Sequence, residues 1–451
     1  MFKTKKVFID FSFINLLVAL VVFISFNIII AKVVINKKID FTSDKLFTLS
    51  KNTKSIVQDL NEQIKIKLFF SETLSKEIPQ IRDYERRVRE LLLAYSDLSK
   101  NIKLEIIDPK PFTDLEDLAT TYGIQGLQLN QEGEKFYFGT ILTNSVDDMV
   151  VIPYFDISRE RFLEYDLTKS IHNLANTEKP VIGLISGLPF AGGLSSRKGE
   201  PSYQKPFYLY QNIQEFYEII DLTNSLDKID NNIDQLLIIH PKSLSDKTLY
   251  EIEQFVLKGK GATFFIDPFS EFEKTNNDPS LDVSSIPKSD LNKMFKKWGF
   301  SIEPGMIVGD IINGRKVSLG RPGDEKILTY ILWLALQGEL LSKEDIITEN
   351  LDYLFFKSAG AIKNLNINKN ITLTPLVSTS INSMLVERFK IQLRAEPEAL
   401  LKDFKSANTS HILGARIKGN FESSYSVSDL KAMGIDTKKH IYNNNSNIIV
   451  F

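Results

Sequence analysis

Val181-Ile-Gly-Leu-Ile-Ser186 is an apolar run without alternation, set between Pro180 and Gly187. A strand buried on both faces, as in a parallel sheet, has this character. The run leads into Gly187-Leu-Pro-Phe-Ala-Gly-Gly193, and a helical stretch follows near 207–216. The rhythm then repeats. Leu236-Leu-Ile-Ile239 predicts a strand, and 245–257 predicts a helix with Leu249, Ile252 and Val256 on one side. Gly259-Lys-Gly261 ends that helix, and a strand over 262–266 stops at Asp267-Pro268. Such alternation predicts a doubly wound parallel sheet with right-handed crossovers. Leu291, Met294, Phe295 and Trp298 mark a further helix, and 306–308 a further strand. From Leu319 the chain is richer in strands and turns, and its apolar segment 327–336 is too short to span a membrane.

Upstream, Thr177-Glu-Lys-Pro180 reads as a boundary, and 52–176 as a separate α/β domain. Ser50 or Thr53 would cap a helix carrying Ile56, Val57 and Leu60. Ile64-Lys-Ile-Lys-Leu-Phe-Phe70 alternates at period two and predicts a strand with one buried face. Pro79 opens a helix whose stripe Ile81, Tyr84, Val88, Leu91, Tyr95 and Leu98 faces a core. Arg82, Glu85, Arg86, Arg89 and Glu90 form its solvated, salt-bridged side. A strand at 102–107, a short helix at 115–122, a hairpin of 135–143 with 149–153, and a helix carrying Leu163, Leu167, Ile171 and Leu174 complete the unit. That order matches a thioredoxin-like α/β domain. The absence of cysteine excludes thioredoxin chemistry.

Before both domains lies an uncharged, largely apolar run over 11–31, between Asp10 and Lys32. At a rise of about 1.5 Å per residue it would span a hydrocarbon core of about 30 Å. It exceeds a signal-peptide core and lacks a small-x-small cleavage site, so a retained single transmembrane helix is expected, with 1–10 as a cytoplasmic tail. Ser12, Asn15 and Ala19, spaced by three and four, form a candidate face for a partner helix. Lys3, Lys5 and Lys6 before the run balance Lys32, Lys37 and Lys38 after it, so charge leaves orientation open.

Among 451 residues, 55 basic and 57 acidic side chains give a net charge of −2, and no basic excess points to nucleic acid. Thiolate chemistry, disulfides and cysteine-ligated metals are excluded by the lack of cysteine. The four histidines, at 172, 240, 411 and 440, lack the spacing of a helical metal pair, so no metal site is expected. No Walker A sequence occurs, and in Gly183-Leu-Ile-Ser-Gly187 the serine is one place away from a nucleophile elbow. No catalytic residue and no cofactor are therefore assigned. In an open α/β sheet the ligand crevice lies at the carboxyl ends of strands, which makes Gly187, His240 and Asp267 the candidate crevice residues. The competing expectation is that His-Pro and Asp-Pro simply end strands.

Several segments together resemble a known family: Phe47-Thr-Leu-Ser50, Arg161-Phe-Leu-Glu-Tyr-Asp-Leu-Thr168, Lys179 through Gly187, and His240-Pro-Lys-Ser-Leu-Ser245. Phe264-Phe-Ile-Asp-Pro268, Trp298-Gly299, Val308-Gly-Asp310, Ser358-Ala-Gly-Ala361 and Glu398 to Phe404 continue the pattern. It is that of the GldG-type auxiliary components of an uncharacterised, gliding-motility-associated ABC transport system. The resemblance implies a single-pass protein of the bacterial inner membrane, its soluble part periplasmic, with an ABC permease and an ATPase as partners. For 180–451 it implies a glutamine-amidotransferase-like fold without the nucleophilic cysteine. It also implies a second membrane helix after the last strand. With the chain stopping in 447–451, which reads as a strand, the expectation is either that the reading frame is truncated or split or that this branch lacks that helix. The leading expectation is a non-enzymatic auxiliary subunit that binds a partner or substrate. A membrane-tethered hydrolase using the crevice, or a structural envelope protein, are the alternatives.

Overall fold

The computed structural model describes residues 18–26, 49–77, 79–128, 133–176, 178–197, 200–223, 228–272, 289–321, 323–392 and 396–451. The chain divides into two compact units, Met1–Glu178 and Lys179–Phe451. Most of the expected membrane anchor over 11–31, with Ser12 and Asn15 and the tail 1–10, lies outside the described residues. Ala19 lies within 18–26, which is helical and carries exposed apolar side chains such as Val18 and Phe23. Among the described residues no helix is long and apolar enough to cross a membrane.

In the first unit, Ser50 caps α1 (Lys51–Gln58) by accepting the Thr53 N–H at 3.2 Å. Strands β1 (Ile64–Phe70) and β2 (Ile102–Ile107) run parallel. After β3 (Gly126–Gln128), strand β4 (Lys135–Thr143) lies antiparallel to β1, and β5 (Met149–Ile152) and β3 both pair with β4. Helix α2 (Pro79–Leu98) buries Tyr84, Val88, Leu91 and Tyr95. Its outer side carries the pair Arg86–Asp83 at 3.0 Å, whereas Glu85, expected on the solvated side, is buried and accepts from the half-buried Arg89 at 2.5 Å. Lysine alternation in β1 predicted one buried face. At its end both faces are covered, because Phe69 packs with Ile107 and Tyr137 and with Ala119 of α3 (Asp114–Thr121). The Tyr95 hydroxyl lies 2.6 Å from Thr168 Oγ1 on α4 (Leu163–Ala175), and Thr168 lies 3.2 Å from Thr53. Three helices are thus joined through buried hydroxyls, which would be costly to leave unpaired.

The second unit starts with β6 (Val181–Ser186), then a hairpin of β7 (Gly193–Arg197) and β8 (Glu200–Gln204). Helix α5 (Tyr208–Gln214) and β9 (Glu218–Asp221) follow, then β10 (Gln235–Ile239), α6 (Asp246–Leu257) and β11 (Gly261–Phe265). Helix α7 (Asn292–Lys297), β12 (Phe300–Ile302), β13 (Met306–Asp310), β14 (Gly314–Arg321), β15 (Asp324–Gln337), β16 (Tyr353–Lys357) and β17 (Ile362–Asn364) come next. Strands β18 (Ile371–Ser378), β19 (Ser383–Glu387), β20 (Ile412–Glu422) and β21 (Asn443–Val450) complete the order. The main sheet has nine strands, ordered β12-β17-β20-β21-β11-β10-β6-β9, with β18 also on β20.

The expected doubly wound parallel sheet is only part of the main sheet. From β9 through β6, β10 and β11 to β21 the pairing is parallel. Beyond β21 it is antiparallel, through β20 to β17 and β12. The cause is that β21 has β11 on one side and β20 on the other, and β20 runs the opposite way. The segment 447–451, expected as a strand, is the end of this central element. The apolar stretch 327–336 lies in β15, which pairs with β14 and β16 and buries Ile331, Leu332, Leu334 and Leu336.

One core gathers around Trp298, Phe295, Phe300 and Phe264 with Ile448 and Val450. Trp298 stands edge-on to Phe421 at 5.0 Å, and its indole N–H donates to the Glu422 carbonyl at 3.1 Å. Trp298→Ala should therefore cost about 3–5 kcal/mol, read as a lower urea midpoint for the second unit.

Candidate functional site

Strands β6, β10 and β11 are neighbours in register, Ser186 opposite Ile239 and Ile239 opposite Phe265. Their carboxyl ends are therefore level, and Gly187, His240 and Asp267 fall at one end of the sheet. The Gly187 N–H donates to the Ile239 carbonyl at 2.9 Å. A methyl group on Gly187 would collide with the His240 carbonyl oxygen, so this close approach requires glycine. His240 itself has φ +44°, a left-handed conformation costly for a non-glycine residue. Its N–H donates to the Phe265 carbonyl at 2.8 Å.

The structure adds Ser289 to this group. Its Oγ lies 2.6 Å from His240 Nδ1 and accepts the Asp267 N–H at 3.3 Å. The Ser289 N–H returns a bond to the Asp267 carbonyl at 3.2 Å, and Asp267 Oδ1 accepts the Phe269 N–H at 2.8 Å. Nothing in the sequence around Ser289 marks it, because its partners are distant in the chain. A serine hydroxyl beside an imidazole nitrogen is the first half of a nucleophilic pair. Here His240 is only 2% exposed and Ser289 only 1%. Ser186 is also committed: its Oγ donates to the Leu188 carbonyl at 2.8 Å and accepts the Leu188 N–H at 3.1 Å. These bonds tie three strand ends together.

Two further buried polar groups were not among the candidate site residues, although Asp310 lies in one of the segments that carry the resemblance. Asp310, fully buried at the end of β13, accepts from the backbone N–H groups of Ile312, Asn313 and Ser380 and from the side chains of Asn313 and Ser380, all within 3.1 Å. Nearby, His411 Nδ1 lies 2.8 Å from Ser383 Oγ, and burial pushes the imidazole pKa down against the opposing field of Asp310. On α6, Glu253 is fully buried and accepts from Ser423 Oγ and the Ser424 N–H, both at 2.6 Å. Desolvation raises its pKa despite these bonds and the charge of Lys293. No cluster of three or more metal-ligating side chains occurs among the described residues.

Residues 179–451 match a family model described as an ABC-type uncharacterized transport system, and residues 43–143 match a domain of unknown function. An uncharacterized protein of Borreliella burgdorferi is 24% identical over 417 residues, covering 91% of this chain and 77% of that one. Among solved structures, the mmIFT52 N-terminal domain is 7% identical with a TM-score of 0.29, covering 60% of this chain and 85% of its own. An exo-beta-1,4-mannosidase from Opitutaceae bacterium strain TAV5 is 13% identical with a TM-score of 0.16, covering 56% and 38%. Both structural likenesses are slight.

Gly187→Ala should destabilise the second unit by about 1–3 kcal/mol through forced displacement of the β10 end. Gly305→Ala, where an added methyl meets open space, serves as the near-neutral control in the same urea titration. Glu253 gives a pH test. Its folded carboxyl holds the proton more tightly than the unfolded one, so wild-type stability falls as pH rises from the unfolded value of about 4.3 to the raised folded value. Glu253→Gln removes that titration. Its stability relative to wild type should therefore be greater at about pH 7 than at about pH 4, as read from urea midpoints at both.

Proposed function

We propose, from the premise that this chain belongs to the ABC-type uncharacterized transport system family, that it is a non-enzymatic auxiliary subunit tethered to a membrane. The match over residues 179–451 carries the proposal. The finer reading places it with the GldG-type components, anchored through 11–31 in a bacterial inner membrane. Its thioredoxin-like and amidotransferase-like units would face the periplasm, beside a permease and an ATPase. Support for the anchor is the uncharged length of that run. Support for a role without chemistry of its own is that Gly187, His240, Ser289 and Asp267 use their polar groups to hold strand ends in place. One helix cannot enclose a transport path, so a pathway needs partner subunits.

A tethered hydrolase is the second reading, favoured by the 2.6 Å contact of Ser289 with His240. Burial of both groups weighs against it, since a nucleophile must meet its substrate.

Affinity purification of the full chain from membranes in mild detergent should recover a permease and an ATPase. Their absence, with the chain itself intact, would refute the auxiliary role. In parallel, Ser289→Ala should leave any ester or glycoside hydrolysis by the purified chain at background. Turnover by the wild-type chain that this substitution abolishes would establish the hydrolase instead.

A further inference from the structure

Four lysines surround one hollow of about 580 Å³ in the second unit: Lys293, Lys296 and Lys297 at α7, and Lys369 before β18. Lys293 pairs with Asp246 at 2.8 Å, and Lys297 with Glu422 at 2.9 Å. The ammonium groups of Lys296 and Lys369 have no ionic or hydrogen-bond partner among the described residues. The hollow thus keeps two uncompensated ammonium groups, which repel each other when no anion lies between them.

Asn370 lines this hollow and also its neighbour, of about 530 Å³, which is otherwise bordered by Asn420, Asn443, Asn444 and Asn445. Asn420 on β20 stands opposite Asn445 on β21, and Asn443 opposite Glu422. The side-chain amides of Asn370, Asn420, Asn443 and Asn445 make no hydrogen bond among the described residues. Asparagine is disfavoured in strands, yet three in succession occupy β21 here. Asn444 is accounted for, since its amide donates to the Leu257 carbonyl at the end of α6 at 2.9 Å. Asn443 and Asn445 have no such bond among the described residues, and a local rule broken without a packing reason marks a site with another role. Each amide offers both a donor and an acceptor, which suits hydroxyl groups.

We propose that the two hollows form one binding site for a phosphate carrying a polyol. The phosphate lies between Lys296 and Lys369, and the polyol hydroxyls meet the asparagine amides. A phosphomonoester carries a charge near −2 at neutral pH, which matches the two uncompensated lysines. Lysine binds phosphate as a point charge, without the fixed fork that arginine would impose. The proposal is independent of the strand-end cluster and of the auxiliary role. The shared chemistry is a glycerol-bearing phosphate, available as the free monoester with two charges or as the diester of a lipid headgroup, whose single charge would leave one lysine to meet a neighbouring headgroup.

The test uses the full chain in detergent and three probes: inorganic phosphate, glycerol 3-phosphate, and vesicles of phosphatidylglycerol in phosphatidylcholine, with pure phosphatidylcholine as blank. Saturable binding of glycerol 3-phosphate by calorimetry assigns a soluble ligand. Binding confined to the phosphatidylglycerol vesicles assigns a headgroup. In either case the K296Q/K369Q double variant should lose at least about tenfold in affinity, and added salt should weaken wild-type binding. Both lysines are exposed, so the double variant should keep the wild-type circular dichroism. N370A/N445A should weaken glycerol 3-phosphate binding while leaving inorganic phosphate unchanged. The proposal is overturned if none of the three probes binds saturably, or if the double lysine variant binds as wild type does.

Discussion

The pairing of β21 with β11 on one side and β20 on the other is the constraint on which the second unit depends. It joins a parallel half-sheet to an antiparallel one. The lock extends to the last residue. Phe451 donates its N–H to the Phe264 carbonyl, and its own carbonyl accepts from Ile266, each at 2.8 Å. Its ring stacks on Phe265 at 5.5 Å. Gly414 on β20 is bare because a methyl there would lie 2.5 Å from that ring. Ile448 and Val450 enter the same core as Trp298, so backbone pairing and side-chain burial support one register.

Local pattern carried much of the fold. The unbroken apolar runs at β6, β10 and β11 identified parallel strands, and the stripe from Tyr84 to Tyr95 identified a helix face, because burial on one or both faces writes itself into neighbouring residues. What local pattern could not carry was partner choice. Whether β20 lies beside β21 or elsewhere depends on contacts between distant segments, and an antiparallel neighbour leaves no local mark on a strand that is parallel on its other side. The short strand β9 and the β7–β8 hairpin were passed over for a related reason: their residues are polar or brief, and pairing alone defines them.

The strand-end residues show the same division. Gly187, His240 and Asp267 were found because the ends of parallel strands are a general location for ligands, and register does bring them level. Ser289 was not, since only folding sets it against His240. Asp310 and Glu253 are further cases. Each is an ordinary acidic residue in sequence, and each becomes a fully buried acceptor only through donors supplied from elsewhere in the chain. Buried polar groups that are fully bonded fix one arrangement of their surroundings, and that is the use most of these groups serve here.

Placing β21 at the centre of the sheet also sets a timetable for synthesis. Strand β11 ends at Phe265, but the neighbour that covers its open edge begins only at Asn443. At about 5–20 residues per second, the ribosome needs roughly 10–40 s to make the intervening chain. A parallel sheet assembled in that interval would present unpaired backbone groups and the apolar bed meant for Ile448 and Val450. Such a nascent chain would be adhesive along that edge until β21 arrives. A chaperone that holds the edge, or a passage that delays contact between neighbouring chains, would act in that window.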